Sequence, residues 1–186
     1  MTCPPTRLAV LCLLLPLAAG ARDWQSVAAE SELGFRAEAQ GEAFDGRFGG
    51  FEVRLSFDPA ALDAARLDVA IELDSVDSRN AERDEMLAEA EFFDSRREPR
   101  ASYRARRFTA LADGRFRADG ELTLRGTTRP VALTFAWREE GATAQLDGGA
   151  RIDRLEFAVG SGDWADPTLI AREVEVSTRV VLRAVD

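Results

Sequence analysis

Histidine is absent from the whole 186-residue chain. Histidine is the commonest protein ligand for transition metals and the commonest general base at neutral pH. Its absence argues against zinc sites, against haem bound through histidine and against Ser-His-Asp catalysis. The sequence therefore predicts no metal site, no resident cofactor and no catalytic residue, and we expect a protein that is not an enzyme.

Lysine is absent as well, so all 24 basic residues are arginine, and 33 acidic residues bring the net charge to −9. An acidic chain without a basic stripe is a poor candidate for binding nucleic acid or an anionic membrane surface. The local cluster Arg104, Arg106 and Arg107 is interpreted as the solvated face of a strand. We therefore expect no nucleic-acid partner.

Cysteine is rare, and both cysteines, Cys3 and Cys12, lie close to the N-terminus. An apolar run from Leu8 to Leu17 precedes Ala19-Gly20-Ala21, which is an Ala-x-Ala cleavage pattern. The run is shorter than the roughly 20 residues that a helix needs to span a bilayer. The sequence therefore predicts a cleavable signal peptide over residues 1–21, a single disulfide-free domain over residues 22–186 and a periplasmic location.

Most of the remaining chain alternates apolar and polar residues, which is typical of strands buried on one face. Leu67, Val69 and Ile71 share one face of such a run. The most informative pattern, Gly120 to Val131, alternates, breaks at a glycine, passes through a Thr127–Pro130 turn and alternates again. This pattern predicts a hairpin whose Leu122 and Leu124 face inward, with Arg125 and Arg129 facing water. The whole chain contains about eight such strands.

One segment departs from this period. Residues 78–90 are rich in helix-forming residues, and Asp77 or Ser78 is placed to cap the N-terminus. We therefore expect one short α-helix that caps or flanks the sheet. Antiparallel strands with a single apolar face need a second sheet or closure into a barrel. Eight closed strands leave an interior that side chains fill or that holds one small ligand, and the sequence leaves both alternatives open.

Several short motifs follow one another along the chain in an order that is typical of one protein family. They are Gly46-Arg47-Phe48 with Phe57-Asp58-Pro59, Arg83-Asp84 with Phe92-Phe93-Asp94 and Pro99, Gly120 to Thr127, and Ile152-Asp153-Arg154-Leu155-Glu156-Phe157. With these motifs the chain resembles the YceI-like family of exported bacterial proteins. The resemblance implies an all-β, eight-stranded antiparallel, lipocalin-like barrel.

The resemblance also implies a ligand. Family members are associated with long isoprenoid chains, including isoprenoid quinones, held inside the barrel. The loop from Gly162 to Asp166 resembles the branch found with, or fused to, b-type dihaem cytochromes of the inner membrane, which makes such a cytochrome an expected partner. Ala158 stands where the family usually has glycine, so the backbone there is expected to differ if the position needs glycine.

Aromatic and branched side chains suit the wall of a site for an apolar chain. The predicted wall residues are Phe35, Phe48, Phe51, Ile71, Phe92, Tyr103, Phe116, Leu122, Phe135 and Phe157. The alternative for each is that it packs the core. Met86 and Leu87, followed by Phe92 and Phe93, are interpreted as a lid.

Two residues near the C-terminus have two interpretations each. Arg154 either contacts a quinone carbonyl or phosphate head group, or pairs with Asp153, Glu156 or Asp94 as a brace at the barrel end. Trp164 either covers the open end of the barrel or closes a loop against its rim.

Three functions therefore stay open. The first is a periplasmic carrier, store or protectant for an isoprenoid lipid. The second is an accessory subunit of a membrane redox complex with a filled barrel, and a homodimer is compatible with either. The third is a lipid-modifying enzyme that uses Tyr103 and a carboxylate of the cluster Glu89, Glu91, Asp94 and Glu98.

Overall fold

The computed structural model describes residues 21–185. The predicted signal peptide lies outside the described residues except for Ala21, as do both cysteines. The described chain forms β1 (Arg22–Ser26), β2 (Glu32–Ala39), β3 (Glu42–Phe48), β4 (Phe51–Phe57), β5 (Arg66–Glu72), β6 (Val76–Asp77), α1 (Ala81–Ala88), β7 (Arg100–Ala110), β8 (Phe116–Leu124), β9 (Thr127–Glu140), β10 (Thr143–Asp153) and β11 (Glu173–Ala184).

Six of the strand segments combine into three interrupted barrel strands. A 3₁₀ turn at Ala28–Glu30 separates β1 from β2, Gly49-Gly50 separates β3 from β4, and a 3₁₀ turn at Leu73–Ser75 separates β5 from β6. Each pair still continues in one direction, because β1 pairs with β4 and β2 with β3. The segments therefore make eight barrel strands with β7 to β11.

The last strand closes the barrel. The C-terminal part of β11 pairs with β1, with Leu182 opposite Ser26, and its N-terminal part pairs with β2, with Thr178 opposite Leu33. All strand pairs are antiparallel and follow the chain order around the ring. The predicted fold, an all-β eight-stranded antiparallel barrel with one short helix, is confirmed. Within residues 21–185 no helix is long and apolar enough to cross a membrane.

The helix begins later than the sequence pattern predicts. The side chain of Asn80 accepts a hydrogen bond of 3.0 Å from the Arg83 backbone N–H, so Asn80 is the N-cap, and the predicted caps Asp77 and Ser78 are wrong. Asp77 still belongs to β6, where it forms an ion pair with Arg47. The helix ends at Ala88 because Glu89 is extended, which leaves the next residues in turns.

The β8–β9 turn also differs from the expectation. It consists of Arg125 and Gly126, both with positive φ (50° and 67°), and Thr127 to Pro130 already belong to β9. Two residues with positive φ make the tight hairpin turn that matches strand twist. Pro130 fits in β9 because this part of the strand pairs with β8 only.

One half of the barrel is filled by aromatic side chains. Phe57 lies at the centre of this filled half, with ring centroids 5.1 Å from Phe116, 5.6 Å from Phe135 and 5.0 Å from Trp137. Trp24 packs edge-on against Trp137 at 5.4 Å. Such edge-to-face packing is favourable and leaves no room for a ligand.

Candidate functional site

The other half of the barrel is hollow. It contains a cavity of about 370 Å³, within the range of small-molecule sites. Its wall consists almost entirely of apolar side chains from the strands, α1 and the loops after α1 and β10. An apolar surface of this kind binds hydrocarbon by removing it from water, which contributes a free energy of roughly 25 cal/mol per Å² of buried apolar surface.

Most of the predicted site residues come together around this cavity. Eleven of them line it: Phe35, Phe48, Phe51, Ile71, Met86, Phe92, Phe93, Tyr103, Leu122, Arg154 and Trp164. They come from β2, β3, β4, β5, β7, β8, the helix and the two loops. Contact of each with a ligand stays a prediction.

Three predicted wall residues do not line the cavity. Phe116 and Phe135 lie in the filled half, where they pack on Phe57. Phe157 is 1% exposed and lies in a 3₁₀ turn that packs against β9. The turn lies where β9 is no longer paired with β10, because that pairing ends at Thr134 and Gly149. Each of the three inward aromatics is therefore core, which was the alternative for these positions.

Most of the aliphatic wall, beyond Ile71 and Leu122, was not predicted from the sequence. Val174 and Val176 of β11, together with Ala150 and Ile152 of β10, line the cavity. Their signal was present in the alternation of both strands, but the predicted set favoured aromatic residues. Small side chains matter most here, because they leave the space that aromatic residues would fill.

A glycine lets one aromatic side chain lie flat on the wall. A Cβ atom at Gly46 would come within 2.3 Å of the Phe35 ring. Phe35 therefore lies across β3, with its centroid 5.7 Å from that of Phe48. Phe48 in turn lies 5.9 Å from Phe93 of the lid segment. This chain of rings connects the wall to the lid.

The lid residues after α1 are both buried, although they are adjacent. Phe92 and Phe93 are 5% and 8% exposed, because they lie in a turn rather than in a strand. The Phe93 backbone N–H donates to the Leu87 carbonyl at 3.0 Å, and the Phe92 ring lies 5.8 Å from Trp164. Trp164 thus packs over the cavity beside the lid.

Arg154 uses its whole guanidinium for backbone carbonyls. Nε donates to Ala171 at 3.0 Å, Nη1 to Val159 and Gly160, and Nη2 to Trp164 and Ile170. The residue is 4% exposed, and burial lowers its pKa from the ordinary arginine value. All five donors are occupied, which leaves none free for a head group, and Arg154 forms no ion pair with Asp153, Glu156 or Asp94. Arg154 instead holds the loop over residues 158–171.

Arg125 is a second arginine of this kind, although it was expected to face water. Its guanidinium donates to the Ala90 carbonyl at 2.6 Å and to the Ala158 carbonyl. Ala158 has φ 55°, the left-handed conformation that favours glycine. Ala158 therefore adopts a backbone conformation that glycine adopts most readily. Arg125 ties the β8–β9 hairpin to both loops that close the barrel.

The hydroxyl of Tyr103 is also held by backbone. It lies 2.9 Å from the Ala118 carbonyl and 3.1 Å from the Val131 carbonyl, each placed to accept its proton. Its ring crosses Gly120, where a Cβ would come within 2.6 Å. Burial raises the pKa of Tyr103 to about 12, so the group stays protonated at neutral pH.

The acidic cluster lies outside the cavity. None of Glu89, Glu91, Asp94 and Glu98 lines it. Glu89 pairs with Arg96 at 3.8 Å and Asp94 with Arg97 at 4.0 Å, on the solvent side of the loop. These carboxylates are separated from Tyr103, which faces the interior.

The mouth of the cavity is formed by the β2–β3 hairpin, α1 and the loop before β11. Gln40 and Leu169 are exposed lining residues there, and the Gln40 N–H donates to the Leu169 carbonyl at 2.8 Å. Arg83 of α1 lies over the Phe44 ring, with its guanidinium carbon 4.0 Å from the centroid. The mouth is therefore more polar than the interior.

Comparison with known proteins gives a consistent result. A family model described as a YceI-like domain matches residues 24–182. A UPF0312 protein of Vibrio vulnificus (strain YJ016) is 31% identical over 173 residues, covering 86% of this chain and 90% of that protein.

Solved structures share the architecture. BcnA of Burkholderia cenocepacia matches with a TM-score of 0.80 at 25% identity, covering 84% of this chain and 98% of that chain. A polyisoprenoid binding domain from Saccharophagus degradans, implicated in plant cell wall breakdown, matches with a TM-score of 0.68 and covers 89% of this chain and 99% of that chain. At 14% identity this second match shows the fold alone.

Proposed function

This chain belongs to the YceI-like family, and we propose that it holds a long isoprenoid lipid, a polyprenyl chain or an isoprenoid quinone, inside its barrel. The observation that carries the proposal is the cavity itself, whose interior presents hydrocarbon and no free polar group of Tyr103 or Arg154. A ligand that fills it must bring apolar surface. The name of the similar Saccharophagus degradans domain, a polyisoprenoid binding domain, supports the same ligand class.

The setting is part of the proposal. The protein acts in the periplasm after removal of residues 1–21, as a carrier, store or protectant for the lipid, beside a b-type cytochrome of the inner membrane. The N-terminal pattern and the Gly162–Asp166 loop support this setting. The hollow half argues against an accessory subunit with a filled barrel. Tyr103 has a raised pKa and lies apart from the acidic cluster, which argues against a lipid-modifying enzyme.

Blocking the cavity tests the proposal. Ala150 is half-buried on β10 and lines the cavity opposite Val176 of β11. Ala150→Phe fills space that the lipid needs, so uptake of a polyprenol or of ubiquinone is expected to fall about tenfold or more, which corresponds to about 1.4 kcal/mol. Extraction of the purified protein and mass spectrometry measure bound lipid, and titration measures uptake.

A matched variant separates blocking from general damage. Ala70 is exposed on the outer face of β5, so Ala70→Phe makes the same chemical change outside the barrel and should leave uptake unchanged. Wild-type protein that is empty after purification and takes up neither added lipid would refute the proposed function. Equal uptake by wild type and Ala150→Phe would show that the lipid does not enter this cavity.

A further inference from the structure

Apart from the indole of Trp164, five polar side chains within residues 21–185 contribute to the cavity wall, and three of them are already used. Tyr103, Arg154 and Thr178 all donate to backbone carbonyls of the barrel. The other two are Gln40 and Arg83, and both lie at the mouth. Any polar recognition by the cavity must therefore involve its rim.

Arg83 faces the cavity from α1 together with Met86 and Leu87, which lie three and four residues further along the same helix face. Its guanidinium forms no ion pair and donates no hydrogen bond among residues 21–185, where most other arginines form surface ion pairs. Of its neighbours in the chain, Asp84 directs its carboxylate to the Ser78 backbone N–H at 2.8 Å. The cation is thus held against the Phe44 ring with its donors unused.

These features favour an anionic lipid head group. A guanidinium binds phosphate through paired hydrogen bonds, and partial burial strengthens such bonds. The chain carries a net charge of −9, so an anion is repelled from most of its surface and attracted only where a cation is unpaired. A lipid whose hydrocarbon chain lies in the hollow half carries its head at the rim.

We propose that Arg83 binds the anionic head group of an isoprenyl phosphate whose chain occupies the cavity, with the Gln40 side-chain amide available at the same rim. This assignment rests on the proposed function and specifies its ligand class. It places the head-group contact on Arg83 of α1 and not on Arg154 of the loop after β10.

The test compares two ligands that differ only in the head. Geranylgeranyl phosphate and geranylgeraniol are titrated into wild type and into Arg83→Gln. The variant should bind the phosphate about tenfold more weakly and bind the alcohol as wild type does. Arg83→Lys keeps the charge and should recover part of the phosphate affinity. Wild-type affinity for the phosphate, but not for the alcohol, should fall with added salt.

Arg107→Gln is the matched control. Arg107 is exposed on β7, forms no ion pair within the described chain and does not line the cavity, so its loss changes the net charge equally. Phosphate affinity that is the same in Arg83→Gln and Arg107→Gln would overturn the assignment while leaving the lipid-binding function standing. An equal loss for both ligands in Arg83→Gln would assign the side chain to packing and also overturn it. Wild-type protein that binds neither ligand refutes the proposed function itself.

Discussion

At the residue scale, two arginines, the buried Arg154 and the half-buried Arg125, are held by backbone carbonyls without a carboxylate partner. Arg154 and Arg125 donate hydrogen bonds to the carbonyl groups of irregular loops. In a strand or a helix, such carbonyl groups would accept hydrogen bonds from backbone N–H groups instead. Gly160 permits the contacts of Arg154, because a Cβ there would come within 2.5 Å of Arg154 Nη1. These side chains therefore add to the backbone hydrogen bonds that hold the loops closing the barrel.

Replacing Arg154 tests this dependence. Arg154→Met keeps much of the side-chain length but leaves five carbonyls without their donor, so the free energy of unfolding should fall by about 3 kcal/mol. Urea denaturation measures the change. Arg151→Met is the control three residues earlier, at the end of β10, because Arg151 forms only exposed ion pairs with Glu173 and Glu175 and its loss should cost under about 1 kcal/mol. Similar losses in both variants would contradict the role of Arg154.

At the element scale, the β8–β9 hairpin has a function beyond joining two strands. Its two-residue turn places Arg125 in the left-handed region, and from there the side chain reaches Ala90 and Ala158. The two loops are also joined directly, since Glu91 accepts hydrogen bonds from the Gly160 and Ser161 backbone N–H groups. The hairpin therefore fastens the closed end of the barrel.

Removing the hydrogen bonds of Arg125 should increase local opening of the two loops. Arg125→Gln is expected to increase amide hydrogen exchange in residues 89–94 and 158–161, with little change in β7 and β8 themselves. Hydrogen exchange followed by mass spectrometry measures it. Arg129→Gln serves as the control, because Arg129 donates only to the adjacent Thr128 carbonyl. Unchanged exchange in both loops of Arg125→Gln would show that the contact contributes nothing to closure.

At the scale of the whole molecule, the barrel divides into a filled half and a hollow half. The aromatic cluster around Phe57 stabilises the fold, and the cavity at the other end leaves apolar surface without a packing partner. The outer surface carries ion pairs between arginines and carboxylates, such as Asp147 with Arg138 and Arg179. Acids rather than histidines therefore determine how stability responds to pH.

The free energy of unfolding should be constant between about pH 6 and 8, because the chain has no histidine to titrate there. Burial raises the pKa of Asp147 and of Asp153, but hydrogen bonds from Gln145 and Arg179 and from Arg172 outweigh it, so both pKa values lie below the ordinary value. Groups with lowered folded pKa stabilise the protein above their unfolded pKa, and this stabilisation is lost as the pH falls through the folded value. Urea denaturation across pH should show the loss below about pH 4. Asp147→Asn should reduce that acid loss, and a transition between about pH 6 and 8 would contradict the prediction.

The strands follow from the sequence pattern alone. Alternation with period two fixes which face of each strand is buried, and such strands cover their apolar face with a second sheet or by closing into a barrel, of which the family resemblance implied the barrel. The same alternation placed Phe35, Phe48 and Ile71 on inward faces, where the structure has them. The turn at Arg125-Gly126 and the cap at Asn80 were missed, because several neighbouring residues have suitable chemistry and only the backbone path selects one.

The folded arrangement alone sets which inward residues face the cavity and which fill the core. Phe116 and Phe135 alternate as Phe35 and Phe48 do, yet they meet Phe57 because strand register sets them at the filled end. The folded arrangement also sets the hydrogen-bond partners of the arginines. The guanidinium groups of Arg154 and Arg125 donate to backbone carbonyls of other segments, while that of Arg83 donates to none within the described residues. Packing and polar partners are properties of the folded arrangement, because they join residues that the linear pattern leaves apart.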